Sequence, residues 1–97
     1  MDLKIKVVKI TGNCPVYQEG DQFVIKDGYQ LTSQIPLCMH ALSALIPFYN
    51  AMRFSDPGEI GLAGKEKDKA YVQCPDAVEY TEGGTAIFEI SKTRPDK

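Results

Sequence analysis

No apolar run in this chain is long enough to cross a bilayer. The longest, Ala41 to Tyr49, is interrupted by Ser43 and Pro47 and falls far short of the roughly 20 residues a spanning helix needs. Positive charge is not in excess either: 11 Lys and Arg stand against 13 Asp and Glu, for a net charge of −2. The electrostatic term that binds phosphate backbones or anionic lipid is therefore missing, which excludes nucleic acid and membrane as main partners. The start of the chain, Met1-Asp2-Leu3-Lys4-Ile5-Lys6, alternates charged and apolar residues and lacks the continuous apolar core of a signal peptide, so a cytoplasmic location is expected. Cysteine is sparse, odd in number and widely spaced, at Cys14, Cys38 and Cys74, unlike the dense even framework of a disulfide-stapled secreted domain. Reduced thiols are the expectation. Histidine occurs once, as His40.

At 97 residues and 10.7 kDa there is room for one small domain and not for a two-domain enzyme. Apolar residues at 43% and charged residues at 25% match an ordinary globular composition, so the chain should fold alone or as an oligomer. Leu3 to Ile10 reads as a strand with Leu3, Ile5 and Val7 on one face and Lys4 and Lys6 on the other, and the phase shift at Val8 predicts a bulge or a strand covered on both faces. Turn residues then lead to a short strand, Gln22 to Lys26, ended by Asp27-Gly28, and Tyr29 to Ile35 reads as an extended connector.

From Leu37 to Met52 apolar residues recur at three- and four-residue steps. Thr32 and Ser33 are available as caps and Pro36 suits a first turn, which defines the chain's one clear helix. Pro47 lies inside it and should kink it or start a second short helix. Asp56-Pro57-Gly58 ends it, and Gly58, Gly61 and Gly64 lead into the charged, solvated tip Lys65 to Lys69. Strands at Ala70 to Cys74 and Thr85 to Lys92 follow, the second with Ala86, Phe88 and Ile90 on one face. The expected fold is thus a single α+β domain over residues 1–92, about four strands packed on one Pro-kinked helix, with residues 93–97 as a frayed tail. Phe48, Tyr49, Met52 and Phe54 leave part of the helix surface for a second copy, so a homo-oligomer is expected.

The residues with the most chemistry are Cys14, Cys38, Cys74 and His40. Two of the cysteines precede proline, in Cys14-Pro15 and Cys74-Pro75, which confines each to extended backbone and holds its thiol in place. If the first and third predicted strands run parallel, Cys14 and Cys74 leave the same end of the sheet, and the connector after Gly28 can bring Cys38 back to them. Cys38 falls in the first or second helical turn, where the helix terminus favours a thiolate. Three thiolates and an imidazole would close a tetrahedral zinc site, and three thiolates alone would hold an iron–sulfur cluster with one open or externally supplied ligand. The spacing matches no standard zinc or ferredoxin run, and free cysteine also serves as a small buried hydrophobe, so inert packing and a redox thiol stand as alternatives. Within a helix, residues two apart face different ways, so His40 joins Cys38 on one metal only if the helix begins after them.

Gly58 to Lys65 resembles a phosphate loop only faintly, since the motif requires glycine at Glu59 and a hydroxyl at Glu66. Asp76, Glu79 and Glu82 show no acid–base pairing, and the five tyrosines, without a basic groove, read as core and rim residues. A non-enzymatic accessory subunit is the other functional class, its cysteines structural and its Gly58 to Gly64 loop and helix face meeting a protein partner.

At Cys14-Pro15, Gly20-Asp21-x-Phe23, Leu37-Cys38, Met52-Arg53-Phe54, Val72-x-Cys74-Pro75-Asp76 and Phe88-Glu89-Ile90 the chain resembles, over nearly its whole length, a family of small three-cysteine prokaryotic proteins frequent in anaerobes and without an assigned activity. The family places a cysteine before the Gly-Asp turn, one at the helix start and one in a Cys-Pro-Asp at a strand end. The resemblance therefore implies a site at Cys14, Cys38 and Cys74 in an anaerobe's cytoplasm. His40 departs from the family pattern, which carries an aromatic residue or alanine there.

Overall fold

Leu3, Ile5 and Val7, alternate residues of the first strand, are all fully buried, and the sheet is built outward from them. A computed structural model describes residues 1–93. It contains β1 (Asp2–Gly12), β2 (Gln22–Lys26), β3 (Gln30–Thr32), α1 (Met39–Phe54), a 3₁₀ turn (Pro57–Ile60), β4 (Lys69–Gln73), α2 (Val78–Thr81) and β5 (Gly84–Thr93). The strands form one antiparallel sheet in the order β3-β2-β1-β5-β4, so the fold is α+β with five strands rather than four. The additional strand is β3, three residues within the stretch expected to be a connector. It contains one apolar residue among two polar ones, too short for alternation to register. The other new elements are the 3₁₀ turn at Pro57–Ile60 and the single turn α2, both in stretches that lack helical periodicity.

The phase shift at Val8 is a real irregularity: the β1–β5 register slips between Val7 and Lys9. On the buried face, Phe23 and Ile25 of β2, Ala70 of β4 and Ala86, Phe88 and Ile90 of β5 join the β1 residues, and Ala41, Leu45 and Met52 of α1 close the core from one side. The opposite face carries Lys4, Lys6, Tyr71 and Glu89. There the Tyr71 hydroxyl donates to Glu89 at 2.9 Å, and Lys69, last of the charged tip, pairs with Glu66 at 3.2 Å and Glu89 at 3.7 Å.

Helix α1 begins later than the caps at Thr32 and Ser33 suggest. The Ser33 hydroxyl is taken up by a local turn, donating to the Ile35 carbonyl at 2.8 Å and accepting the Ile35 amide at 3.1 Å, which keeps Pro36 and Leu37 outside the helix. Cys38 is the N-cap, with extended backbone, and its carbonyl accepts the first helical bond from the Leu42 amide at 3.0 Å. Pro47 removes one helical donor, yet α1 runs through it as one continuous helix because Leu45 and Met52, on either side, are anchored in the core. Thr93, expected to open a frayed tail, is the last residue of β5, and residues 94–97 of that tail lie outside the described residues. Among the described residues no helix is long and apolar enough to cross a membrane.

Candidate cysteine site

β1 and β4 each pair antiparallel with β5, so they run in the same direction on either side of it. Cys14, just past the end of β1, and Cys74, just past the end of β4, therefore leave the same end of the sheet. Cys38, ahead of α1, comes back to that end as well. All three line one cavity of about 140 Å³, together with Tyr17, His40, Asp76 and Gly84. All three are free thiols; Cys14 and Cys38 are half-buried and Cys74 is buried.

Each sulfur is set by its own segment. The loop carrying Cys14 is pinned by bonds of the Ile10 amide to Glu19 at 2.9 Å and of the Gln18 amide to Asp21 at 2.8 Å, and by backbone bonds between Val7 and both Gly20 and Asp21. Within this loop the Tyr17 amide donates to Cys14 Sγ at 3.3 Å. Cys74 continues the β4 ladder: its amide donates to the Ala86 carbonyl at 3.0 Å, and its Sγ accepts the Ala86 amide at 3.3 Å. The Cys74 thiol lies 3.7 Å from the Gly84 carbonyl, to which it donates. The Cys38 amide is held by the Tyr17 hydroxyl oxygen at 2.9 Å.

Because Cys38 is the N-cap and not a residue of the first or second turn, the rule that two-apart helix residues diverge does not separate it from His40. Both face the same cavity, although His40 is exposed. Among the described residues, however, no three His, Cys, Asp or Glu side chains stand close enough together to hold one metal ion. The three cysteine residues border one cavity without forming a metal-holding group.

Three residues give the site its shape that the sequence did not single out for it. Tyr17 is almost wholly buried, stacked 6.3 Å from Phe23 and edge-on 5.5 Å from Phe88, as a core tyrosine should be. Its second task, fixing Cys14 through its amide and Cys38 through its hydroxyl, has no sequence signature. Burial raises its pKa above the usual tyrosine value, and so do the neighbouring Cys38, Cys14 and Asp21, against the lowering effect of the bond from the Cys38 amide. Asp76 is a latch: its carboxylate accepts the Gly84 amide at 3.3 Å and the Thr81 hydroxyl, and its carbonyl accepts the Thr85 hydroxyl. The Asp of Cys-Pro-Asp thus secures the β4–β5 connection. Gly84 sits where the backbone of Asn13 and Cys14 passes; a Cβ there would lie 2.6 Å from Cys14 N.

Comparison of the chain with known protein families, with characterised proteins and with solved structures finds no match in any of the three.

Proposed function

We propose that the protein is a small cytoplasmic module that holds an iron–sulfur cluster through Cys14, Cys38 and Cys74 and serves in electron transfer or redox sensing. The observation that carries this reading is the common cavity of about 140 Å³ onto which three cysteines from three separate segments open. A single zinc ion needs its sulfurs within about 3.7 Å of one another, given bonds of about 2.3 Å. A cluster distributes its thiolates over several irons and needs space among them. Cysteines that border a cavity suit the second requirement better. Amide hydrogens directed at Cys14 and Cys74 add to it, since hydrogen bonds to sulfur are among the features that set cluster potentials. With three cysteines one iron is left for an outside ligand, or for His40 at the cavity wall. A reducing compartment keeps the thiols available, and an anaerobe's cytoplasm spares such a partly open cluster from oxidation.

The test is purification without oxygen, followed by assay of iron, acid-labile sulfide and visible absorbance. Iron and sulfide in near-equal amounts, lost when the three cysteines are changed to Ser, are expected. Protein that takes up neither after anaerobic incubation with ferrous iron and sulfide overturns the reading, and one zinc per chain replaces it with the zinc site.

The second reading, an accessory subunit with structural cysteines and a protein partner, is favoured by Cys74, whose thiol is buried and bonded to the protein's own backbone as donor and acceptor. Under it the triple Ser variant keeps its fold and its partner.

A further inference from the structure

All 24 charged residues of the chain lie outside one segment: from Gly28 to Met52, 25 consecutive residues, there is no Asp, Glu, Lys or Arg. That segment is β3, the connector and nearly all of α1. Its outward surface mixes uncharged polar residues, such as Gln30, Thr32 and Asn50, with exposed apolar ones. Tyr29, Leu31 and Ile46 are 70%, 47% and 59% exposed and border an apolar groove of about 210 Å³ between the β2–β3 hairpin and α1. The groove has a geometric origin. Five strands span about 19 Å at about 4.8 Å per step, whereas one helix covers about 10 Å. Helix α1 packs chiefly against β4 and β5, so among the described residues the β2–β3 side of the same face is left uncovered.

The two sheet edges differ in the same sense. The β4 edge is covered by the preceding loop, through a bridge from Ala63 to Ala70 and a bond from the Tyr71 amide to the Leu62 carbonyl at 3.0 Å. Among the described residues nothing covers the β3 edge, and Gln30, Leu31 and Thr32 are all exposed. Edge strands of lone proteins are commonly guarded by lysine, proline or a bulge, and β3 has none of these.

We infer that this face is the interface of a homodimer in which β3 pairs with β3 of a second copy. A two-fold axis normal to the sheet makes the two edge strands antiparallel, the only pairing the sheet uses, and places both helices on one side of a continuous ten-stranded sheet. The uncovered groove of each copy then faces that of the other. An uncharged surface suits this self-pairing, because across a two-fold axis any charge near the axis meets its own copy. The ladder is only three residues long, so burial of Tyr29, Leu31 and Ile46 supplies most of the stabilisation. The inference does not depend on the cysteines.

Analytical ultracentrifugation of the full chain under reducing conditions tests it. The expected mass is twice 10.7 kDa. Leu31→Lys, which sets a positive charge against its own copy, and Ile46→Glu, which puts a carboxylate in the groove, should each weaken association by about 100-fold or more. Lys67→Glu, at the exposed tip, and the triple Cys→Ser variant should dimerise as the unaltered chain does. Ile46→Glu changes an exposed position, so its fold, checked by circular dichroism, survives even where Leu31→Lys disturbs β3. A monomer at about 100 μM unaltered protein overturns the inference, as does a dimer that persists in Ile46→Glu, or one lost only when the cysteines are changed.

Discussion

The Tyr17 hydroxyl oxygen accepts the Cys38 amide hydrogen across 2.9 Å and twenty-one residues of chain. This bond fixes the start of α1 against the β1–β2 loop. The Tyr17 amide meets Cys14 Sγ at 3.3 Å, so one residue sets the spacing of two of the three thiols. The ring, clamped by Phe23 and Phe88, makes that spacing part of the hydrophobic core.

Tyr17→Phe keeps the ring and removes the acceptor. The Cys38 amide is then left without its partner in a half-buried place, at an expected cost of about 1–2 kcal/mol in urea denaturation. Tyr17→Ala also removes the ring and should cost about 3–5 kcal/mol. An unchanged midpoint for Tyr17→Phe would show that the helix start is held by other contacts.

Gly84→Ala tests the close approach of β5 to the Cys14 loop. The added carbon would sit 2.6 Å from Cys14 N and from the Asn13 carbonyl carbon, backbone atoms that move only if the loop moves. A loss of about 1–3 kcal/mol is expected from such overpacking. Gly58→Ala enters open space and should stay within about 0.5 kcal/mol of the unaltered protein. Equal stability of the two variants would remove the packing role given to Gly84.

Thiol reactivity should follow exposure and hydrogen bonding. Cys38 Sγ has no cap bond to hold it and is half-buried, Cys14 is half-buried but accepts an amide, and Cys74 is buried and bonded. Mass-spectrometric mapping of alkylation in metal-free protein should find Cys38 first and Cys74 last, with Cys74 at least about tenfold slower because it is reached only through local opening. Cys74 labelling as fast as Cys38 would mean that the end of β4 is open in solution.

How much of this was legible in the sequence depends on which interactions are local. Alternation exposed Leu3, Ile5 and Val7, the slip at Val8 and the limits of β2, and three- and four-residue steps revealed α1. The shared direction of β1 and β4, which puts Cys14 and Cys74 at the same end of the sheet, was available only as a condition, because strand order is set by long-range pairing that no short window contains. The cap moved from Ser33 to Cys38 because Ser33 bonds to Ile35, and a short polar side chain near a helix start gives no sign of which neighbour it will choose. Tyr17 and Asp76 were seen as a core ring and a loop acid. Their work on Cys38 and Gly84 spans turns of the chain that only the folded sheet brings together.

Alkali should destabilise the protein in a way that Tyr17→Phe partly relieves. Burial lifts the Tyr17 pKa above 10.0, and the Tyr71 pKa is lifted chiefly by its hydrogen bond to Glu89. Lys69 is raised above 10.5, first by its bond to Glu66 and next by Glu89. In each case the folded state keeps a proton that the unfolded chain has begun to release. The unfolded state therefore binds fewer protons, and stability falls as pH rises from the unfolded value through the folded one. Below about pH 10 the contribution is fully present. Urea midpoints compared at about pH 8 and about pH 11 should drop for the unaltered chain and drop less for Tyr17→Phe, which has no phenol to hold protonated at that site. A drop of equal size in both would place the alkaline loss at Tyr71 and Lys69 on the outer face and leave Tyr17 without a part in it.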